Sequence, residues 1–228
     1  MRILSLYLQA TIWCVLIMVL SLGLWKADLR IPFYYAVGGD VTFFTGFYKT
    51  INDTGWYTHN PALGAPGTME IYDFPLVKPG LFGAIKLLTS LTSNPFVAGN
   101  LFYLLSFPLV VWTGLYAFRE MGLNRQTSVA ASLLFSFSTY HFWRGPHHPQ
   151  FAAYYAVPLI LLTSLRVCGG EPLFWGAKTE GSGNSRWLGR KVAIEAIIAS
   201  LLISVSGVYF AYFGMAVLVA AGLIAAVR

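Results

Sequence analysis

The stretch GGDVTFFTGFYKTINDTGWYTHNPALGAPGTMEIYDFP, Gly38–Pro75, decides how this chain is read. It is polar and rich in turn-forming residues, yet apolar runs flank it on both sides. It carries Asp40, Asp53, Glu70 and Asp73, four of the nine carboxylates in the chain, with His59 among them. A greasy chain that gathers its acids into one aqueous loop is using that loop for chemistry or for recognition.

The remainder explains why the loop stands out. Of the 228 residues 57% are hydrophobic and 11% charged, whereas soluble domains carry about 25% charged residues. Apolar runs of about bilayer-spanning length recur along the sequence, so the fold class expected is an all-α integral membrane protein. The net charge of +6 follows from basic residues placed in loops. Aromatic residues sit inside apolar runs instead of alternating with Lys and Arg, which argues against a nucleic-acid groove. Cys14 and Cys168 lie too far apart in the layout to form a disulfide or a thiolate metal site. Met1–Trp25 lacks a small-x-small cleavage site and reads as a retained first helix.

Six spans are expected, at about 3–25, 96–118, 127–142, 151–167, 192–204 and 208–227, forming one transmembrane domain over 1–228. The first extracytoplasmic loop, 26–78, contains an amphipathic interfacial helix. Val41, Phe44, Phe47, Tyr48 and Ile51 recur there at helical spacing, suited to a membrane surface or to the flank of other spans. Thr54–Pro75 holds too much Gly, Pro and Asn for a helix, and Lys78–Ser93 reads as a half-buried apolar segment that does not cross. Residues 168–191 form a cytoplasmic connector rich in Gly, Ser and basic residues. Arg119, Arg125, Arg166, Lys178, Arg186, Arg190 and Lys191 then fall inside, and Lys26, Arg30, Lys49, Lys78 and Arg144 outside. The positive-inside rule favours this arrangement, with both termini cytoplasmic.

The same topology puts Asp40, His59, Asp73, His147 and His148 on one aqueous face, with His141 near it. Asp40 follows two glycines and opens the amphipathic helix. There a carboxylate caps backbone N–H groups, and the same placement suits a general base or a ligand to a divalent metal ion. His59 stands in an aromatic, turn-rich lip. Asp73 is either a second carboxylate or a turn former. Arg144, His147 and His148, in WRGPHHPQ, make a group that suits phosphate binding, the plain alternative being an interfacial loop. Glu195 lies four residues after Lys191, and an i,i+4 pair accounts for it.

These residues resemble a family. Gly38–Gly67 followed by IYDFP (Ile71–Pro75), together with FSTYHFWRGPHHPQFAAYYAVPL (Phe137–Leu159), is similar to the first extracytoplasmic loop and a later span–turn–span of bacterial GT-C-type membrane glycosyltransferases. The resemblance implies a bacterial inner-membrane protein that moves a sugar from a polyprenyl-phosphate donor to an extracytoplasmic acceptor. It gives Asp40 the part of catalytic base or metal contact, and it gives donor-phosphate contacts to Arg144 or the nearby histidines. His59 and Asp73 join them as substrate-binding residues. Val41 follows Asp40 where many members carry a second acid, and such enzymes have more spans, so the expectation is a truncated or N-terminal module. The expected partners are membrane lipids, the lipid-linked sugar and other membrane subunits, with no nucleic acid. The alternative is a non-catalytic accessory subunit of a larger membrane complex. A transporter is disfavoured because the spans hold almost no charge.

Overall fold

A computed structural model describes residues 2–33, 39–72, 78–145, 148–171, 173 and 183–227. It is built almost wholly of helices: α1 (Arg2–Leu22), α2 (Gly39–Thr54), α3 (Pro79–Leu91), α4 (Pro95–Glu120), α5 (Arg125–Ser136), α6 (Thr139–Arg144), α7 (Val157–Cys168), α8 (Gly183–Ser206) and α9 (Val208–Val227). Two-residue strands β1 (His59–Asn60) and β2 (Met69–Glu70) pair antiparallel within the turn-rich part of the loop.

Among the described residues four helical segments are long and apolar enough to cross a membrane: Leu4–Leu22, Pro95–Glu120, Pro149–Cys168 and Val208–Val227. The other two expected spans fall short for identifiable reasons. α5 has 12 residues, about 18 Å of helix against a hydrocarbon core of about 30 Å, and the chain breaks at Phe137–Ser138 before α6 carries it on. α8 is long, but Arg190 and Lys191 lie in its first half and Glu195 just past its middle. It also begins at Gly183, inside the expected connector, rather than at Val192.

The break between α5 and α6 removes intrahelical partners from the last carbonyls of α5, and in an apolar surrounding such groups need substitutes. The Tyr154 hydroxyl supplies one, lying 3.1 Å from the carbonyl oxygens of both Phe135 and Ser136. It also meets His141 Nδ1 at 3.0 Å. His141 is thereby a core residue and not a member of the aqueous face. It is fully buried, stacked on Phe107 with ring centroids 3.7 Å apart, and its Nε2 lies 2.9 Å from Ser106 Oγ.

α4 is the hub. Asn94 caps it by accepting from the N–H groups of Phe96 and Val97, with Pro95 set in the first turn, where its missing N–H costs nothing. α1 runs antiparallel along it, so that Trp112 Nε1 donates to Thr11 Oγ1 at 2.8 Å. Near the other end of α1, Asn100 of α4 ties down the chain that follows. Its Nδ2 donates to the carbonyls of Leu29 (2.9 Å) and Ile31 (2.7 Å), and its Oδ1 accepts from Phe33 N (3.1 Å).

α2 and α3 lie across the end of the bundle opposite the α4–α5 turn. All five apolar positions expected on α2 are buried. Phe44, Phe47, Tyr48 and Ile51 pack against Leu81, Phe82 and Ile85 of α3 and Ala98 and Phe102 of α4, so the amphipathic face meets protein. Tyr57 stacks on Phe82 at 4.0 Å, which closes the hairpin onto the same core.

Candidate functional site

The site starts from the first turn of α2, where Asp40 stands next to Gly39. An acid in the first turn is favoured by the aligned peptide dipoles. The apolar face of α2 fixes how the helix lies, and this directs the carboxylate at the turn that follows α6. There the His148 N–H donates to the Arg144 carbonyl (2.8 Å), and Phe151 N–H donates to that of His148 (2.7 Å). His148 Nδ1 reaches Asp40 Oδ2 at 2.7 Å. Gln150 Nε2 donates to the same oxygen at 3.4 Å. The pair joins two loops 108 residues apart in the chain, and it stays in reach of solvent, with side-chain exposures of 28% for His148 and 46% for Asp40.

A cation completes the group. Lys78 Nζ lies 4.5 Å above the centroid of the Phe44 ring, one helical turn along from Asp40. Burial pushes the Lys78 ammonium below its ordinary range, and the Asp40 carboxylate pulls it partly back. Lys78 forms no ion pair among the described residues. Among the described residues the Gln150 amide oxygen is buried without a hydrogen-bond partner, as is the Tyr48 hydroxyl. Tyr48 borders a small cleft of about 50 Å³, walled also by Val41, Tyr103, Gly145 and Pro149. Two glycines make room for its tyrosines: a Cβ on Gly99 would lie 2.9 Å from the Tyr48 ring, and one on Gly145 2.5 Å from that of Tyr103.

Of the residues singled out in the sequence, Asp40 and His148 are brought together. His59 is not with them. It sits in β1 across from Glu70, 3.8 Å away, beyond the C-terminal end of α2, which is about 20 Å from Asp40 at 1.5 Å per residue. Arg144 is exposed at the end of α6. Asp73 and His147 lie outside the described residues. Among the described residues no group of three His, Cys, Asp or Glu side chains is placed to hold a metal ion. Asp40 and His148 are two donors, one of them nitrogen, short of the oxygen-rich shell that a hard divalent cation takes.

Sequence reasoning overlooked Gln150 and the part played by Lys78. Gln150 follows His148 by two residues in the same turn, and Lys78 directly precedes α3, but only packing puts either beside Asp40. The polar cluster at the other end of the bundle was half seen. Glu195 pairs with Lys191 at 3.5 Å as expected, and it also binds Arg166 and the Tyr116 hydroxyl. Glu120 completes the cluster, 3.0 Å from Arg166 and 2.7 Å from Lys191. The charged residues at this end of the helices are paired, one helix to the next.

No protein-family model, curated protein or solved structure matches the chain.

Proposed function

We propose that this chain is a membrane glycosyltransferase of GT-C type, or the N-terminal module of one, acting on a polyprenyl-phosphate-linked sugar. In this reading an acceptor hydroxyl attacks the anomeric carbon. A new carbon–oxygen bond forms, the bond from that carbon to the donor phosphate oxygen breaks, and the hydroxyl proton passes to the Asp40–His148 pair. Lys78 faces the phosphate as it leaves and balances its growing charge. The observation that carries the reading is the 2.7 Å contact between Asp40 and His148, made beside a half-buried lysine at the one end of the bundle where acid, imidazole and cation meet.

The topology that goes with it has six crossings, counting α5–α6 as one broken span and α8 as another. The N-terminus and C-terminus are cytoplasmic in a bacterial inner membrane, and the α2–α3 layer is extracytoplasmic. Paired charge makes α8 tolerable in such a setting, because Lys191, Arg166, Glu120 and Glu195 neutralise one another near the cytoplasmic boundary.

The test is transfer of radiolabelled sugar from a set of polyprenyl-phosphate sugars by membranes holding the protein. Asp40→Asn is expected to abolish transfer without lowering the amount of protein in the membrane. Full activity of that variant would sink the assignment. Recovery of the native chain in fixed ratio with other subunits, assembling equally well as Asp40→Asn and without transfer, would make it an accessory subunit instead.

A further inference from the structure

A groove of about 460 Å³ lies at the charged end of the bundle, away from the Asp40 site. It is lined by Tyr7 of α1, Trp112 of α4, Leu159 and Leu162 of α7, and Ile198 and Leu202 of α8. α4 and α7 pack together as its floor. α1 packs on α4 and α8 on α7, so the two outer helices form its walls. Trp112 and Ile198 are exposed, and the groove therefore opens on the side of the bundle. Around it Leu8 and Ile12 of α1 and Ile194 and Leu201 of α8 are exposed as well, which makes the surface on either side apolar. Tyr7, Trp112, Leu159 and Leu162 belong to three of the described segments long and apolar enough to cross a membrane. In a bilayer the mouth faces hydrocarbon.

The polar atoms of the lining are already spent within the protein. Thr113 and Thr163 also border the groove, and their hydroxyls donate to the carbonyls of Leu109 (3.0 Å) and Leu159 (2.8 Å). Trp112 Nε1 donates to Thr11 Oγ1. The Tyr116 hydroxyl donates to Glu195, whose carboxylate also binds Arg166 and Lys191. Water in a cavity needs about 2–4 polar partners, whereas an apolar cavity of about 150 Å³ stays dry and takes up an apolar molecule. This groove is larger, and it is elongated. Glu195 and Leu202, which both line it, stand about 10 Å apart along α8 at 1.5 Å per residue. Over that length its volume is too small for a helix about 10–12 Å across, but it suits an extended hydrocarbon chain. We infer that the groove holds one acyl chain of a bilayer phospholipid as a resident ligand. The chain enters from the end where Glu120, Arg166, Lys191 and Glu195 meet, since charge is costly in hydrocarbon and marks the interface. The headgroup stays outside at that interface. The site requires only that the long helices span a bilayer, and it is independent of any transfer chemistry at Asp40.

Photolabelling of the full chain tests this, in nanodiscs of phosphatidylcholine and phosphatidylglycerol that include a phosphatidylcholine with a diazirine in one acyl chain. After irradiation, mass spectrometry reads the label residue by residue. Leu8 of α1 and Val219 of α9 are exposed and report ordinary contact with bulk lipid. The groove residues Trp112, Leu159 and Leu162 are expected to carry several times the label of those two. Label spread evenly over the groove and the outer faces overturns the proposal, and this comparison needs the wild type alone. Ile198→Trp places a larger side chain at the exposed mouth. It is expected to cut the label on Trp112, Leu159 and Leu162 several-fold and to leave Leu8 and Val219 unchanged. An undiminished groove label in that variant, once folded, overturns the assignment of the site. Loss of the groove label on adding polyprenyl phosphate in equal amount to the labelled lipid gives the groove to an isoprenoid chain and overturns the phospholipid. Protection of the groove by a cross-linked protein subunit overturns it in favour of a partner.

Discussion

At the level of single residues, the fold depends on a few polar side chains whose partners are backbone groups. Asn100 is the clearest case, since its amide satisfies Leu29, Ile31 and Phe33 at once from a buried position. Asn100→Ala leaves those groups short of partners, at a cost of about 2 kcal/mol. The expected result is a fall of about 4–8 °C in melting temperature in detergent. Gly99 is constrained by shape. Alanine there sets a methyl carbon 2.9 Å from the Tyr48 ring, so Gly99→Ala is expected to destabilise by about 1–3 kcal/mol, read by the same melt. Lys78 offers a test of electrostatics. Because the Asp40 charge opposes the effect of burial on Lys78, Asp40→Asn leaves burial unopposed and moves the amine further below its ordinary range. More of it is then neutral, and at about pH 8 Lys78 is expected to acylate faster in Asp40→Asn than in wild type. An unchanged rate, measured by mass spectrometry of the labelled peptide, would mean that the two groups do not sense each other.

At the level of elements, the polar cluster joins α4, α7 and α8. Arg166 and Glu195 have side-chain exposures of 11% and 14%, so water does little to screen them. Removing Glu195 leaves Arg166 with only the more exposed Glu120 and Glu171, at a cost below the about 3–5 kcal/mol of a fully broken buried pair. Glu195→Ala is expected to lower yield and melting temperature sharply. The double variant Arg166→Met, Glu195→Leu is expected to recover most of the loss, because an apolar pair of similar volume carries no desolvation cost. A double variant as unstable as the single one would show that the cluster does more than tie helices together. The kinked α5–α6 pair depends in the same way on Tyr154, whose hydroxyl stands in for the partners the break removed.

At the level of the whole molecule, the arrangement is a helical bundle with a helical cap across one end. The proposed six-crossing topology would put that cap and the charged cluster of Glu120, Arg166, Lys191 and Glu195 on opposite sides of the membrane. In a background of Cys14→Ala and Cys168→Ser, a cysteine at Thr68 in the hairpin is expected to react with a membrane-impermeant maleimide on intact cells. A cysteine at Arg190 is expected to react only after permeabilisation. Labelling of both positions in intact cells would overturn the topology.

Much of this was legible in the sequence, and the reason is periodicity. The apolar runs marked the long helices, and the spacing of Val41, Phe44, Phe47, Tyr48 and Ile51 marked α2, because a helix repeats its face at fixed intervals whatever surrounds it. Gly, Pro and Asn marked the hairpin. Asp40 stood out because acids at a helix start are favoured locally. What local pattern does not carry is depth and partnership. His141 and His148 lie seven residues apart in one polar-looking segment, yet one is stacked in the core and the other faces Asp40. The end of α6 at Arg144 decides which, because the chain turns there between the two histidines. His59 shares the loop with Asp40, but a rigid helix holds it at the far end. The amino-acid sequence by itself therefore determined the helices and the residue types able to do chemistry. Only the tertiary structure decided which of them meet, because a contact between residues 108 apart is set by the packing of every element between them.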